Sequence, residues 1–281
     1  MIRIQATEIA EATGAELVHE GARDIAGDVV IDSRQAKEGT IFVAFAGEKV
    51  DGNAYLAAAA KTGAAAVVAS AEVAPDALAA CAAAGASVLR AKDDDCEAFL
   101  LALAAEQRRR HPEWLVVGVT GSVGKTTTKD MLRAGFGACR RTHATAGNLN
   151  NLIGMPLTLL AAPEDSEVVV CELGMNHPGE ISRLAGACSP ALACVTTIGT
   201  SHIGILGSRE NIARAKAEVC AQMRDSGAGA GDIARTLVMP SACDLTPYIA
   251  DGFARPAGDA VELVGTREGD AVRACDGHLD E

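Results

Sequence analysis

Leu115-Val116-Val117-Gly118-Val119-Thr120-Gly121-Ser122-Val123-Gly124-Lys125-Thr126-Thr127-Thr128 decides the fold. Leu115–Val119 carries three valines and reads as a buried parallel strand. Gly121 and Gly124 follow with two residues between them, then Lys125-Thr126, then a helical pattern through Met131, Leu132 and Phe136. Strand, Gly-rich turn and helix together make a phosphate cradle. Backbone N–H groups of Gly121, Ser122, Val123, Gly124 and the first helical turn with Thr127 face the anion, Lys125 neutralises charge, and the Thr126 hydroxyl reaches a Mg²⁺ ion. The strict motif asks for Gly at position 119, where Val stands, so the form here is the shorter Gly-x-x-Gly-Lys-Thr. A tight Gly turn between any strand and helix is the plainer alternative.

The rest of the chain is compatible with that corner. At 281 residues, two domains with separate cores are expected. Hydrophobic content is 49 % with only 3 % aromatics, so the cores are built from Ala, Val, Leu and Ile. A formal charge of −12 argues against a general nucleic-acid binder or a protein drawn to anionic membranes. A phosphate ligand must then be held by local cations and amides. Nine scattered cysteines without a C-x-x-C pair suggest reduced core thiols and a cytoplasmic location. The start has no signal-peptide layout, and no apolar run is long enough for membrane insertion.

Residues 1–91 read as a small α/β unit. Thr7 is a candidate helix cap, Val29-Val30-Ile31 runs as a strand into Asp32-Ser33-Arg34, and Gly47-Glu48-Lys49-Val50-Asp51-Gly52 makes a polar turn. Asp93-Asp94-Asp95 offers cap chemistry for a helix ending at Arg108-Arg109-Arg110, taken as the opening of a second domain over 92–281. That Arg cluster is expected to be a solvated helix end. After the phosphate cradle the pattern alternates strand, loop and helix. Glu167–Gly174 is a buried strand ending in an acid, Pro178-Gly179 opens a helix through Ile181 and Leu184, and Ala191–Ile198 is the next strand. Alternating Val-rich strands and helices imply a doubly wound, mostly parallel sheet, whose ligands sit at the carboxyl ends of its strands.

Three further residues stand where they can join the cradle. Glu172 ends an apolar strand, where a carboxylate needs a partner; it is either a Mg²⁺ ligand or the cap of the helix near Pro178. His202 follows a strand in a Gly-flanked loop, as a structural histidine or a ligand. Lys216 borders the Ile212, Ala215, Val219 stripe of a helix starting at Ser208, and alone would be a surface lysine. Asn148-Leu149-Asn150-Asn151 is an amide-rich loop.

Together these segments resemble the Mur ligases. The resemblance rests on Thr120–Lys129, on Ala146–Asn151 with Gly154 and Pro156, and on Thr196-x-Ile198-Gly199 with His202. Most specific are Glu172-Leu173-Gly174-Met175-Asn176-His177-x-Gly179-Glu180-Ile181 and Gly207-Ser208-x-Glu210-Asn211-Ile212-Ala213-x-Ala215-Lys216-x-Glu218. These favour the branch of the family that joins D-Ala-D-Ala to UDP-MurNAc-tripeptide. Asp32-Ser33-Arg34 and Gly47–Gly52 resemble the UDP-sugar-binding domain of the tripeptide-type ligases. The resemblance implies a small α/β UDP-MurNAc-peptide-binding domain followed by a doubly wound, P-loop ATPase-type central domain. It implies ATP and Mg²⁺ as cofactors, and catalysis through an acyl phosphate by a monomer. Lys125 and the loop amides Gly121–Thr127 would hold ATP; Thr126 and Glu172 would hold one Mg²⁺, and His202 with a carbamylated Lys216 a second. Ser33 and Arg34 would contact the uridine diphosphate, and Asn150 and Asn151 the peptide.

The resemblance covers residues 1 to about 220. Beyond Glu218 the family shows an Asn-Ala-Asp-type segment, where Leu237-Val238-Met239-Pro240-Ser241-Ala242 stands here. The adenine-reading loop and the third domain are not found before Glu281, so the central domain is expected to end short of completion. Three rivals share parts of the pattern: a sister ligase adding the third peptide residue, a folylpolyglutamate synthase-like ligase, and a non-catalytic nucleotide-binding module. A regulatory GTPase is disfavoured, since no Asn-Lys-x-Asp segment is present.

Overall fold

Short apolar runs separated by Ala-rich stretches fold as alternating strands and helices, and the computed structural model describes residues 2–47, 50–226 and 233–273. The described residues form two compact units. One reaches to Arg110 and takes in Leu159–Glu164; the other comprises His111–Thr158 and the chain from Asp165 onward.

The first unit contains β1 (Ile2–Ile4), α1 (Ala6–Thr13), β2 (Glu16–His19), β3 (Ile25–Gly27) and β4 (Val29–Val30). It continues with β5 (Ile41–Val43), α2 (Leu56–Thr62), β6 (Ala66–Ala69), α3 (Pro75–Ala83), β7 (Ser87–Arg90) and α4 (Cys96–Arg110). β1 and β3 pair antiparallel, and a five-stranded sheet runs β2-β7-β6-β5-β4, parallel except for β2 against β7. Every residue of β5 and β6 is buried, as expected for parallel strands covered on both faces. Phe42, Val67 and Val88 meet Leu56, Ala59 and Ala60 of α2 in the core.

Two sequence expectations change here. Thr7 lies inside α1, whose start is capped instead by the Glu8 carboxylate accepting from the Gln5 N–H at 2.8 Å. The Arg run ending α4 is solvated only at Arg109, whose side chain is 73 % exposed; Arg109 and Arg110 both bind Glu106, Arg110 also binds Glu8, and Arg108 is buried. α4 packs on α1 and groups with the first unit, not with the residues that follow it. Its N-terminus is capped as the acidic run suggests, Asp95 Oδ1 accepting from the Ala98 N–H at 2.9 Å.

The second unit is built on β8 (Leu115–Thr120), α5 (Lys125–Gly137), β9 (Thr142–Ala144), the start of α6 (Gly154–Ala161) as far as Thr158, β10 (Val168–Glu172), α7 (Glu180–Cys188) and β11 (Leu192–Val195). α8 (Ile203–Leu206), α9 (Arg209–Ala217), β12 (Thr236–Pro240), β13 (Ala260–Gly265) and β14 (Val272–Arg273) follow, with short helical turns over Thr246–Ile249, Ala250–Ala254 and Arg255–Ala257 between β12 and β13. All seven strands pair in parallel, in the order β14-β13-β12-β11-β8-β10-β9. β8 is buried at all six positions, with Val117 in register with Val170 on one side and Leu192 on the other. The connection from β8 leads to one side of the sheet, towards β9. The connection from β10 leads to the other, towards β11. The order therefore reverses at β8, and the carboxyl ends there form the crevice in which open α/β sheets bind ligands.

α5 covers this sheet through Leu132 and Phe136, which pack on Leu115, Val117 and Val170. Met131, read from sequence as part of the same stripe, is 70 % exposed. Cys81, Cys96, Cys171, Cys188 and Cys220 are buried and form no disulfide, and burial pushes the Cys96 and Cys220 thiols up to about 12. Cys139 is exposed, and Cys275 lies outside the described residues. Among the described residues, no helix is long and apolar enough to cross a membrane.

Candidate active site

The loop leaving β8 uses backbone conformations that side chains resist. Gly121 has φ +145° and Gly124 φ +87°, and a Cβ at Gly121 would lie 1.9 Å from Thr196 Oγ1. Thr196 comes from the segment after β11, which leaves the ladder earlier than its sequence suggests and braces the loop. Thr196 Oγ1 donates to the Val123 carbonyl at 2.6 Å, and Thr197 Oγ1 accepts from the Val123 N–H at 3.2 Å. Gly199 N–H donates to Ser122 Oγ at 2.9 Å, and Ser201 Oγ donates to the Ser122 carbonyl at 3.2 Å. Lys125 begins α5 and curls back, Nζ donating to the Gly121 carbonyl at 2.9 Å. Thr126 and Thr127 are exposed in the first turn, where helix N–H groups lack intrahelical acceptors. The fixed turn, the helix terminus and the ammonium suit a polyphosphate.

Glu172, at the end of β10, is 1 % exposed. Its Oε1 accepts from Thr126 Oγ1 at 3.3 Å and from Asn150 Nδ2 at 2.8 Å. Its own N–H donates to Thr145 Oγ1 at 3.0 Å, while Oε2 is buried without a hydrogen-bond partner. The alternative that Glu172 caps the following helix is removed, because Glu218 does that. Glu218 Oε1 accepts from the Gly179 N–H at 2.7 Å and Oε2 from the Ser182 N–H at 3.0 Å, so a residue just beyond α9 closes the start of α7. Glu180 accepts from the Asn176 N–H at 2.6 Å; burial opposes its ionisation, but its bonds to Asn176 and His177 hold it below the ordinary carboxylate value.

The unpartnered Oε2 tests whether a magnesium ion fits. Hard oxygen donors from Glu172 and Thr126 beside a phosphate cradle match an ion that keeps few protein ligands and takes the rest from phosphate and water. Among the described residues no group of three or more His, Cys, Asp and Glu side chains gathers to hold a metal.

Lys216, on α9, is 2 % exposed rather than lying at the surface. Burial, and then the neighbouring charge of Lys125, lower its pKa to about 8. His202 caps α8 with a left-handed φ of +65° and is exposed. It shares a cleft of about 190 Å³ with Asn150, Asn151, Gly174, Asn176 and Glu180. The four loops after β8, β9, β10 and β11 thus bring Lys125, Asn150, Glu172 and His202 to one edge of the sheet, as expected from the strand ends.

In the first unit, Asp32 caps a single turn over Ser33–Gln35 and accepts a forked pair from Arg34, Nε to Oδ1 at 2.9 Å and Nη2 to Oδ2 at 2.6 Å. The Arg34 side chain is 88 % exposed, and its hydrogen bonds hold the Asp32 carboxyl down at about 2. Glu48 and Lys49 of the polar turn lie outside the described residues. Sequence reasoning missed the loop brace of Thr196, Thr197 and Ser201, and the capping role of Glu218; a run of hydroxyls directly after a strand was the available signal for the brace.

The sequence pattern of the Mur ligase middle domain matches residues 119–262 and that of the Mur ligase family catalytic domain matches residues 27–108. The chain belongs to the Mur ligase family. Among curated Mur ligases, the UDP-N-acetylmuramoyl-tripeptide–D-alanyl-D-alanine ligase of Bacillus subtilis is 37 % identical over 228 residues, covering 81 % of this chain and 48 % of the relative. Among solved Mur ligase structures, MurF from Acinetobacter baumannii superposes with a TM-score of 0.82 at 28 % identity, covering 98 % of this chain and 56 % of that one. MurF ligase from Thermotoga maritima in complex with ADP superposes with a TM-score of 0.72 at 26 % identity, covering 88 % and 52 %. The chain spans about half the length of the curated relatives it matches.

Proposed function

We propose that the chain serves an ATP-dependent amide ligation in peptidoglycan precursor synthesis, joining D-Ala-D-Ala to UDP-MurNAc-tripeptide. One observation supports this most: buried Glu172 presents an unpartnered Oε2 while Thr126 and Asn150 fix its Oε1, beside the Gly121–Thr126 loop. The names of the relatives support the reaction, and the ADP in the Thermotoga maritima structure supports the nucleotide.

In this reading the terminal carboxylate of the peptide attacks the γ-phosphorus of ATP; a C–O–P link forms as the bond to ADP breaks. The amine of D-Ala-D-Ala then attacks the acyl carbon, an amide C–N bond forms, phosphate departs, and the amine sheds its proton. Lys125 exchanges the Gly121 carbonyl for the β- and γ-phosphates and stabilises the charge that develops on transfer. Thr126 and Glu172 would hold a magnesium ion, which would supply neutralisation of charge on the phosphate oxygens. His202 and Lys216 would hold a second ion; a lysine whose pKa is lowered to about 8 has neutral amine available to bond CO₂ as a carbamate, releasing a proton. Asn150 and Asn151 shape the peptide end of the cleft, and Ser33 and Arg34 meet the uridine diphosphate. UDP-MurNAc recognition belongs to the first unit and nucleotide chemistry to the second, in a cytoplasmic monomer.

Calorimetric titrations of ADP·Mg²⁺ and of UDP-MurNAc-tripeptide, each into the folded chain, test the two halves. Both are expected to saturate. Lys125→Ala should weaken ADP roughly 10–100-fold, the loss of one charge-assisted anion contact, and leave the uridine ligand unaffected. A folded chain that ignores UDP-MurNAc-tripeptide overturns the substrate class, and one that ignores ADP·Mg²⁺ overturns the nucleotide site.

A further inference from the structure

Lys129 stands one helical turn after Lys125, on the same side of α5, and only 2 % of it is exposed. Burying an ammonium is costly unless its donors are met. Its Nζ donates to the Thr145 carbonyl at 3.0 Å and the Gly147 carbonyl at 3.3 Å, and pairs with Asp130 Oδ1 at 2.9 Å. Asp130 is largely solvated, so much of the compensation comes from two carbonyl dipoles of one loop. A solvated helix lysine would have served α5 as well; this one is spent on the loop.

That loop leaves β9, the edge strand, whose described ladder runs along β10 alone. Thr145 extends the ladder through its N–H to the Val170 carbonyl at 3.0 Å and accepts the Glu172 N–H on its hydroxyl at 3.0 Å. Gly147 turns the chain with φ +54°, and Asn150 then donates to Glu172 Oε1 while its carbonyl accepts from the Gly174 N–H at 2.8 Å. Residues 145–150 are therefore a strap touching Glu172 at both ends, with Lys129 gripping its first turn.

We propose that Lys129 is a positioning residue: by tethering this strap to the nucleotide helix it keeps the Asn150–Glu172–Thr126 arrangement in the form that takes the magnesium complex of the nucleotide. The proposal rests on the reading of this corner as a nucleotide site, and it separates two quantities. ADP affinity in chelator reports the loop amides and Lys125. The enhancement on adding Mg²⁺ reports Glu172 and Thr126.

Titration of ADP with EDTA and with Mg²⁺ into the wild-type chain and Lys129→Met is the test, with hydrogen exchange of residues 145–151 in the absence of ligand beside it. Lys129→Met should leave the EDTA affinity within twofold, cut the Mg²⁺ enhancement about tenfold and speed exchange across the strap. Asn150→Ala should by itself reduce the enhancement, and adding Lys129→Met should lower it little further, because both act through one arrangement. Lys129→Gln, which keeps a neutral donor, should show a smaller loss of about threefold and stands in if the Met variant does not fold. A folded variant with the wild-type Mg²⁺ enhancement and unchanged strap exchange overturns the proposal, even where its melting temperature falls. If the wild type takes no ADP, the nucleotide reading fails, and the exchange comparison alone decides whether Lys129 holds the strap.

Discussion

The loop corner around Gly121–Thr126 and the turn at Asp32–Arg34 handle charge in opposite ways. The corner is assembled from backbone and buried side chains: Glu172 and Lys216 are almost wholly inaccessible, and four residues after β11 bond to Ser122 and Val123. The turn is a surface pair whose guanidinium lies in solvent and whose partner is two residues away. Low dielectric makes fixed dipoles and charges strong in the first setting, and water screens them in the second. A ligand binding at the corner would meet a preorganised site, whereas one binding at the turn would have to compete with Asp32 for Arg34.

The sharpest way to break this comparison is Gly121→Ala. The new methyl would lie 1.9 Å from Thr196 Oγ1 on a backbone at φ +145°, so loop and brace must part. ADP·Mg²⁺ affinity should fall by at least roughly 100-fold, with about 2–4 kcal/mol of stability lost through strain and broken hydrogen bonds. Gly135→Ala, within α5 where a Cβ meets nothing within 4 Å, is the control. It should stabilise by about 0.5–1 kcal/mol without touching affinity. Equal affinities in the two variants would mean that the corner is not preorganised.

Lys216→Met sharpens the same contrast. Its folded pKa of about 8 lies below the ordinary 10.5, so the unfolded chain binds the extra proton between those values. Stability from this group therefore rises with pH across that window, and the penalty is fully present below it. Removing the charge should stabilise by about 3 kcal/mol at pH 7, with the gain shrinking as pH climbs and vanishing above 10.5. Denaturant melts of both chains at several pH values measure it; a gain independent of pH would assign the effect to packing instead.

How much of the site was legible follows from how local each part is. The cradle could be read because strand, glycines, lysine and helix are contiguous, and Glu172 because an acid ending a Val-rich strand is conspicuous. The parallel sheet followed from alternating Val-rich runs. What could not be read is what distant segments supply. Glu218 caps a helix start 39 residues before it, and the brace on Val123 comes from 73 and 74 residues onward. Met131 fits the helical stripe by spacing, yet α5 turns only Leu132 and Phe136 to the sheet core. Lys129 and Arg108 run against the rule that long cations stay in water; the Thr145 and Gly147 carbonyls together with Asp130 account for the burial of Lys129. Capping acids and a basic end suit a surface helix equally well in either unit, so they set no boundary at α4, which packs on α1.

Arg34→Ala is expected to change least in the fold and is informative for that reason. With its guanidinium in water, loss of the side chain should leave the melting temperature unchanged, since exposed pairs contribute little. The Asp32 carboxyl, held at about 2 first by the Arg34 side chain and then by its backbone N–H, should rise towards the ordinary value but not reach it, because the Arg34 N–H bond at 3.0 Å survives the substitution. An NMR titration of Asp32 reads that partial return. The consequence for ligand runs through Asp32 as well. Removing Arg34 deletes a cation and also frees an anion facing the same place, so a diphosphate loses attraction and gains repulsion. UDP-MurNAc-tripeptide affinity should fall about tenfold at low salt and less at high salt, where both effects are screened. The Arg34→Ala, Asp32→Asn double variant should recover part of that loss. Full binding by Arg34→Ala at low salt would make the turn a structural cap and move the uridine diphosphate elsewhere in the first unit.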